Sequence, residues 1–227
     1  MSMMRMSLMN GKIQISHTVY YSVQVPEQKG PHPLLIVLHG FGQVARQFIT
    51  VFEPLAKKGI LVAAPQGAHQ FYTHLKKGQV GFSWLTKYER DQSVLDFVAY
   101  MEQFYKLLQE TCEVDSQRVF MLGFSQGVSM AYRTWAHSSL PVRGVVACGG
   151  DLPPDIVEQL EGLPPIQILL VHGRQDEEVS PEKAQEALKH LRAHGLQPEL
   201  FDFEGGHVVP SRALPRVEGM ILGETDR

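Results

Sequence analysis

The sequence predicts an α/β fold, a mostly parallel sheet with helices on both faces and no large lid domain. Three observations predict it. Apolar runs such as 34–38, 60–64 and 142–147 show no polar alternation, as strands buried on both faces do. Stretches with helical spacing separate them, which is the order of a parallel sheet wound with helices. One run, 119–122, passes through Gly123-Phe124-Ser125-Gln126-Gly127 directly into a helical pattern.

The elements follow in order. Residues 13–25 alternate in part (Ile13, Ile15, then Val19, Tyr21, Val23, Val25) around a turn at 16–18, predicting an antiparallel edge strand or hairpin that Pro26 ends. Residues 34–38 form a buried strand that runs into His39-Gly40-Phe41-Gly42. Residues 46–58 carry a helical stripe of Phe48, Val51, Phe52, Leu55 and Ala56, with Pro54 marking a kink or a split. Strand 60–64 is closed by Pro65-Gln66-Gly67. No clean period holds from 66 to 91, so a long irregular loop is expected there, and such loops are usually functional. Its aromatic residues fit core packing and the lining of a pocket equally; Phe71 and Trp84 are the substrate-binding candidates.

Residues 91–112 give the clearest helix, with a stripe of Val94, Leu95, Val98, Met101, Phe104 and Leu108. Strand 118–122 leads into Ser125, and helix 125–137 leads out. Strands 142–147 and 166–171 flank a connection with room only for a short helix near 156–160. An amphipathic helix spans 181–193, with Pro181 in its first turn. Strand 198–203, Gly205-Gly206-His207 and a C-terminal helix over 210–221 complete the chain. Without a repeat or linker, 1–227 reads as one domain, with 1–11 a loosely ordered N-terminus.

At 227 residues and 44% hydrophobic, the chain can bury one sizeable core. A net charge of −3 without a basic stripe excludes nucleic acid as a partner. The apolar runs are strand-length, so no integral membrane segment is expected. The methionine-rich start lacks a cleavage site, and the two cysteines, Cys112 and Cys148, lack metal-ligand spacing; a reduced, cytoplasmic protein is expected. The oligomeric state leaves no mark in the sequence.

Ser125 is the candidate nucleophile. A serine forced onto a tight strand-to-helix turn exposes its hydroxyl, and Gly123 and Gly127 keep side chains out of that turn. Sites in such sheets lie beyond the carboxyl ends of the strands, where His39, Gln66, Ser125, Asp151, His172, Asp176 and His207 fall. A serine nucleophile needs a base and an acid that orients the base. His207 lies beyond the last strand in a glycine-flanked loop and is the candidate base. Asp176 is the candidate acid, with Glu177, Glu178 and Asp151 as rivals. His39 and His172 read as packing or loop-anchoring residues. The oxyanion hole would combine the Gln126 amide with one from the 39–42 loop, where Gly40 and Gly42 allow close approach. Cys148 reads as a buried structural thiol. His69 and His74 lack further metal-ligand spacing, and no metal or cofactor is required.

Four segments together carry a family resemblance: Leu38-His39-Gly40-Phe41-Gly42, Gly123-Phe124-Ser125-Gln126-Gly127, residues 172–181 (His172-Gly173-Arg174-Gln175-Asp176 and onward to Pro181), and Gly205-Gly206-His207. The chain resembles the α/β-hydrolase superfamily and, within it, the small phospholipase/carboxylesterase family that includes the acyl-protein thioesterases. The resemblance implies a Ser125, Asp176, His207 triad, the Phe41 amide as second oxyanion donor, and a small acyl ester or thioester as substrate. Where the thioesterases carry Ser-Trp-Phe-Asp, this chain has Ser83-Trp84-Leu85-Thr86, a departure that bears on acyl-chain preference. A serine carboxylic-ester hydrolase is expected. The alternatives are a hydrolase of another acyl substrate, such as lysophospholipid, and a catalytically silent scaffold used as a binding module.

Overall fold

The computed structural model describes residues 9–223, so most of the expected loose N-terminus, 1–8, lies outside the described residues. These residues form a seven-stranded sheet and a separate two-stranded hairpin. The strands of the sheet are β1 (Tyr21–Gln24), β2 (His32–Leu38), β3 (Leu61–Pro65), β6 (Val114–Phe124), β7 (Val142–Cys148), β8 (Gln167–Gly173) and β9 (Glu199–Phe203). Their order is β1-β3-β2-β6-β7-β8-β9; β1 is antiparallel to β3, and every other pair is parallel. The hairpin pairs β4 (His69–His74) with β5 (Gln79–Ser83).

Successive side chains of β2 show why the strand reads as a continuous apolar run. Leu34, Ile36 and Leu38 enter one core with Met101, Tyr132 and Leu191, while Leu35 and Val37 enter the other with Phe52, Leu55 and Val217. Helices α3 (Arg90–Thr111), α4 (Gln126–His137) and α6 (Glu182–Ala193) cover the first face. The short helices α1 (Ala45–Phe48) and α2 (Glu53–Ala56), with α7 (Leu214–Leu222), cover the second. The expected split near Pro54 is present: a 3₁₀ turn, Ile49–Phe52, separates α1 from α2, and Pro54 lies in the first turn of α2, where its missing N–H costs no helix bond. The 149–165 connection holds only the one-turn α5 (Pro154–Val157) and a 3₁₀ turn. It is pinned to α4 by Arg133, whose buried guanidinium meets Asp155 through two bonds of 2.9 and 2.7 Å.

Two expectations need correction. The strand or hairpin over 13–25 reduces to β1. Residues 9–18 are exposed and irregular, with no partner edge for Ile13 and Ile15 among the described residues, and a hairpin without a sheet to join is marginal in water. The irregular loop over 66–91 contains the β4–β5 hairpin, closed by Leu75–Lys77 and by Gly78 in the left-handed region. Most of β4 is exposed, so no alternation of buried and polar positions marks it as a strand.

The topology places a crevice. The chain leaves β2 for β3 on one side, then crosses to β6 on the other. The carboxyl ends of β2 and β6, paired up to Leu38 and Gly123, therefore feed connections that diverge, and it is outside such strand ends that a crevice forms, between the loops that begin at His39 and Ser125.

Candidate active site

Strand β6 ends at Phe124, and Ser125 carries the turn into α4 at φ 53° and ψ −119°. Among the described residues only Ser125 and Glu89 combine a side chain with positive φ. Such a conformation costs on the order of 1–3 kcal/mol and persists because its surroundings allow no other. The Ser125 amide donates to Cys148 O at 2.9 Å. A methyl group at Gly127 would collide with the Leu38 carbonyl, so α4 can pack against the end of β2 only with glycine there.

Asp176 and His207 meet across the ends of β8 and β9. His207 Nδ1 lies 2.8 Å from Asp176 Oδ2, and Asp176 Oδ1 accepts the amides of Val179 (2.9 Å) and Glu178 (3.0 Å). Burial pushes the Asp176 carboxyl up, but the Val179 amide, His207 and the Glu178 amide outweigh it and hold the group below the usual carboxylate range. Asp176 is therefore ionised, and the carboxylate fixes the proton of His207 on Nδ1, which leaves Nε2 able to accept one. The ring of Phe124, the residue before the serine, lies 4.7 Å from the His207 ring. Of the rival acids, Asp151, Glu177 and Glu178 are exposed, and none bonds to His207. His172 donates from Nε2 to Val179 O at 2.9 Å and lies 3.5 Å from Asp176, anchoring the loop that carries the acid.

The amides on either side of Phe41 are occupied: Gly40 N donates to Gln43 Oε1 and Gly42 N to Phe82 O, both at 2.8 Å. The Phe41 and Gln126 amides have no acceptor among the described residues. A methyl group built on Gly40 would lie 3.3 Å from Ser125 Cβ, so this loop runs directly beside the serine. Free amides on the loop beside Ser125 and on the residue after it are of the kind a developing oxyanion requires.

The two pocket candidates separate. Phe71, half-buried on β4, stacks on the exposed Phe41 ring at 4.7 Å, so it borders the crevice. Trp84 does not line it: the indole is 2% exposed, and its Nε1 donates to His39 O at 2.8 Å. An indole lodged behind the loop satisfies its one donor there, which corrects its assignment to the substrate surface. His39 is buried as well. Its Nδ1 donates to Gly40 O at 2.8 Å, and its Nε2 accepts from Gln66 Nε2 (2.7 Å) and Gly67 N (3.0 Å). Burial lowers the His39 pKa from 6.5 to about 4, with the Gly40 bond opposing, so the ring is neutral at ordinary pH. Gln66, which the sequence marks only as a polar residue at a strand end, also accepts from Ala45 N through Oε1 at 2.9 Å. Cys148 is buried, and burial followed by the nearby Asp176 charge raises its thiol pKa far above the range of a nucleophile. His69 and His74 are exposed at the two ends of β4.

Comparisons with known proteins bear on the fold and the family. The fold is similar to that of esterase PE8 (20% identity, TM-score 0.71, covering 90% of this chain and 98% of that one). It is also similar to Arabidopsis thaliana SOBER1 (23% identity, TM-score 0.67, 85% and 99% covered) and to Zea mays acyl-protein thioesterase 2 (18% identity, TM-score 0.62, 90% and 98% covered). A bifunctional acetylxylan esterase/xylanase of Neocallimastix patriciarum is 24% identical over 209 residues, which are 90% of this chain; the chain spans 28% of that protein's length. A sequence profile matches residues 20–221, almost the whole of the described fold, and by that match the chain belongs to the phospholipase/carboxylesterase family.

Proposed function

We propose that the protein is a serine hydrolase that cleaves carboxylic esters or thioesters through an acyl-enzyme. One observation carries the reading: an ionised Asp176 is bonded to His207, whose ring lies 4.7 Å from that of Phe124, the residue before a serine held in a strained turn. Ser125 Oγ attacks the acyl carbonyl carbon while His207 Nε2 takes its proton. The Asp176 carboxylate stabilises the imidazolium that forms. The tetrahedral oxyanion is received by the Phe41 and Gln126 amides, each such donor supplying about 3 kcal/mol of transition-state stabilisation. Collapse expels the alcohol or thiol, which takes the proton from His207. Water, deprotonated by the same imidazole, then attacks the acyl-serine and releases the acid. No metal or cofactor enters any step.

Family membership supports the reaction class. The acyl group follows from the surface around Phe41, which is 59% exposed and stacked on Phe71, an open apolar platform suited to a small acyl group. Hydrolysis of p-nitrophenyl esters from acetate to palmitate by wild type and Ser125→Ala tests the reading. Turnover is expected to fall by at least about 10⁴-fold in the variant at every chain length, with fluorophosphonate labelling lost alongside. Labelling and turnover absent from the folded wild type would favour a silent scaffold.

A further inference from the structure

Two consecutive peptides of the 39–42 loop are held by their carbonyl oxygens, and the groups holding them, Trp84 and His39, are buried. Trp84 Nε1 donates to His39 O. In a trans peptide the N–H points opposite to the C=O, so the Gly40 N–H is directed away from the indole, where it meets Gln43 Oε1 at 2.8 Å. The next peptide repeats the device. His39 Nδ1 donates to Gly40 O at 2.8 Å, which turns the Phe41 N–H away from the imidazole and leaves it without an acceptor among the described residues. The Nδ1 donor is itself fixed, because Gly67 N and Gln66 Nε2 donate to Nε2 and require it to be unprotonated.

The second oxyanion donor is held from the same place. Gln126 Oε1 accepts the main-chain N–H of Trp84 at 3.0 Å, and Gln126 Nε2 donates to Leu85 O at 2.9 Å and Ser83 Oγ at 3.0 Å. The indole also packs 4.7 Å from the His39 ring and edge-on against Phe97 at 5.5 Å. Trp84 thus holds the first peptide of one donor loop with its side chain and the residue of the other donor with its main chain.

We propose that Trp84 and His39 are positioning residues forming a latch that sets the direction and spacing of the Phe41 and Gln126 amides. The inference rests on the serine-hydrolase reading of Ser125. Without the latch the Gly40–Phe41 peptide can flip, presenting a carbonyl oxygen to the oxyanion and converting a stabilising dipole into a repulsive one. The latch acts on the transition state and leaves ground-state binding of the acyl group unchanged.

Three variants test it, with folding followed by thermal melting. Trp84→Phe keeps a ring against His39 and Phe97 and removes the N–H. His39→Leu removes the Nδ1 donor, and His39→Asn returns an amide N–H close to the Nδ1 position. On p-nitrophenyl butyrate, kcat is expected to fall about tenfold in Trp84→Phe and about 100-fold in His39→Leu, with KM within about twofold of wild type. His39→Asn should recover most of the loss. Inhibition by an alkyl trifluoromethyl ketone, whose hemiketal oxyanion reads the same donors, should weaken by matching factors. A changed KM or chain-length optimum with unchanged kcat would overturn the latch and return Trp84 to the pocket wall. Unchanged ketone inhibition in Trp84→Phe would also overturn it, even if His39→Leu does not fold. Wild-type turnover in Ser125→Ala would remove the serine-hydrolase reading and the latch with it; turnover lost there but intact in the latch variants would remove the latch alone.

Discussion

The junction of β6 with α4 and the β4–β5 hairpin border the same crevice and are built in opposite ways. At the junction the neighbours are main chain: Gly127 presses on the Leu38 carbonyl, and the Ser125 amide is tied to Cys148 O. At the hairpin most of β4 is exposed, and Tyr72 and Leu75 face solvent. Even so, the hairpin touches the 39–42 loop closely at one point, where a methyl group on Gly81 would meet the Gly42 carbonyl. The difference separates two tasks. A serine held in a strained turn needs surroundings too dense to relax, whereas an exposed surface beside it needs only to stand in the right place.

The comparison can be broken most sharply at the acid. Asp176→Asn replaces the acceptor facing His207 Nδ1 with a group that can donate, favouring the wrong tautomer; kcat should fall about 10³–10⁴-fold with little change in melting temperature. Gly127→Ala attacks the dense side by volume. It must displace the end of β2 and should destabilise the protein by about 3 kcal/mol, a melting shift of about 10 °C that calorimetry would register.

A pH titration sharpens the contrast from within. Folded His39 takes up its proton near pH 4, an unfolded histidine near 6.5, so between these values the unfolded chain binds more protons. Stability should therefore be full above pH 6.5 and fall by about 3 kcal/mol as pH drops to 4. In His39→Asn this component of the slope should vanish from the unfolding free energy measured across that window. The smallest effect belongs to the hairpin tip. Leu75→Ser should change stability by no more than about 0.5 kcal/mol, with kcat on the acetate ester unchanged; a loss of several kcal/mol would show that the exposed hairpin shares the density of the junction.

How much of this was legible in the sequence follows the same division. The strand leading to Ser125, the glycines around it and the order of Asp176 and His207 are local patterns, and buried parallel strands advertise themselves as unbroken apolar runs. The hairpin was missed because its residues carry no alternation; its turn depends on Gly78, and Gly81 is required by Gly42, 39 positions earlier in the chain. Trp84 was misplaced for a related reason. An aromatic residue in an unpatterned segment looks the same whether it faces substrate or the back of a loop, and the bond that decides, to His39 O, joins residues 45 apart. The crevice itself is a property of strand order, which no single segment encodes.

Cys148 gives the dense side an intrinsic clock. Its carbonyl holds the Ser125 amide, and its thiol, sealed from solvent, lies 3.6 Å from Val208 O, one residue past the candidate base. A thiol reagent reaches this sulfur when the strand ends around Ser125 part from the loop that carries His207. With Cys112 replaced by serine, the modification rate would count those openings directly, without substrate, and report how often the assembled site comes apart on its own.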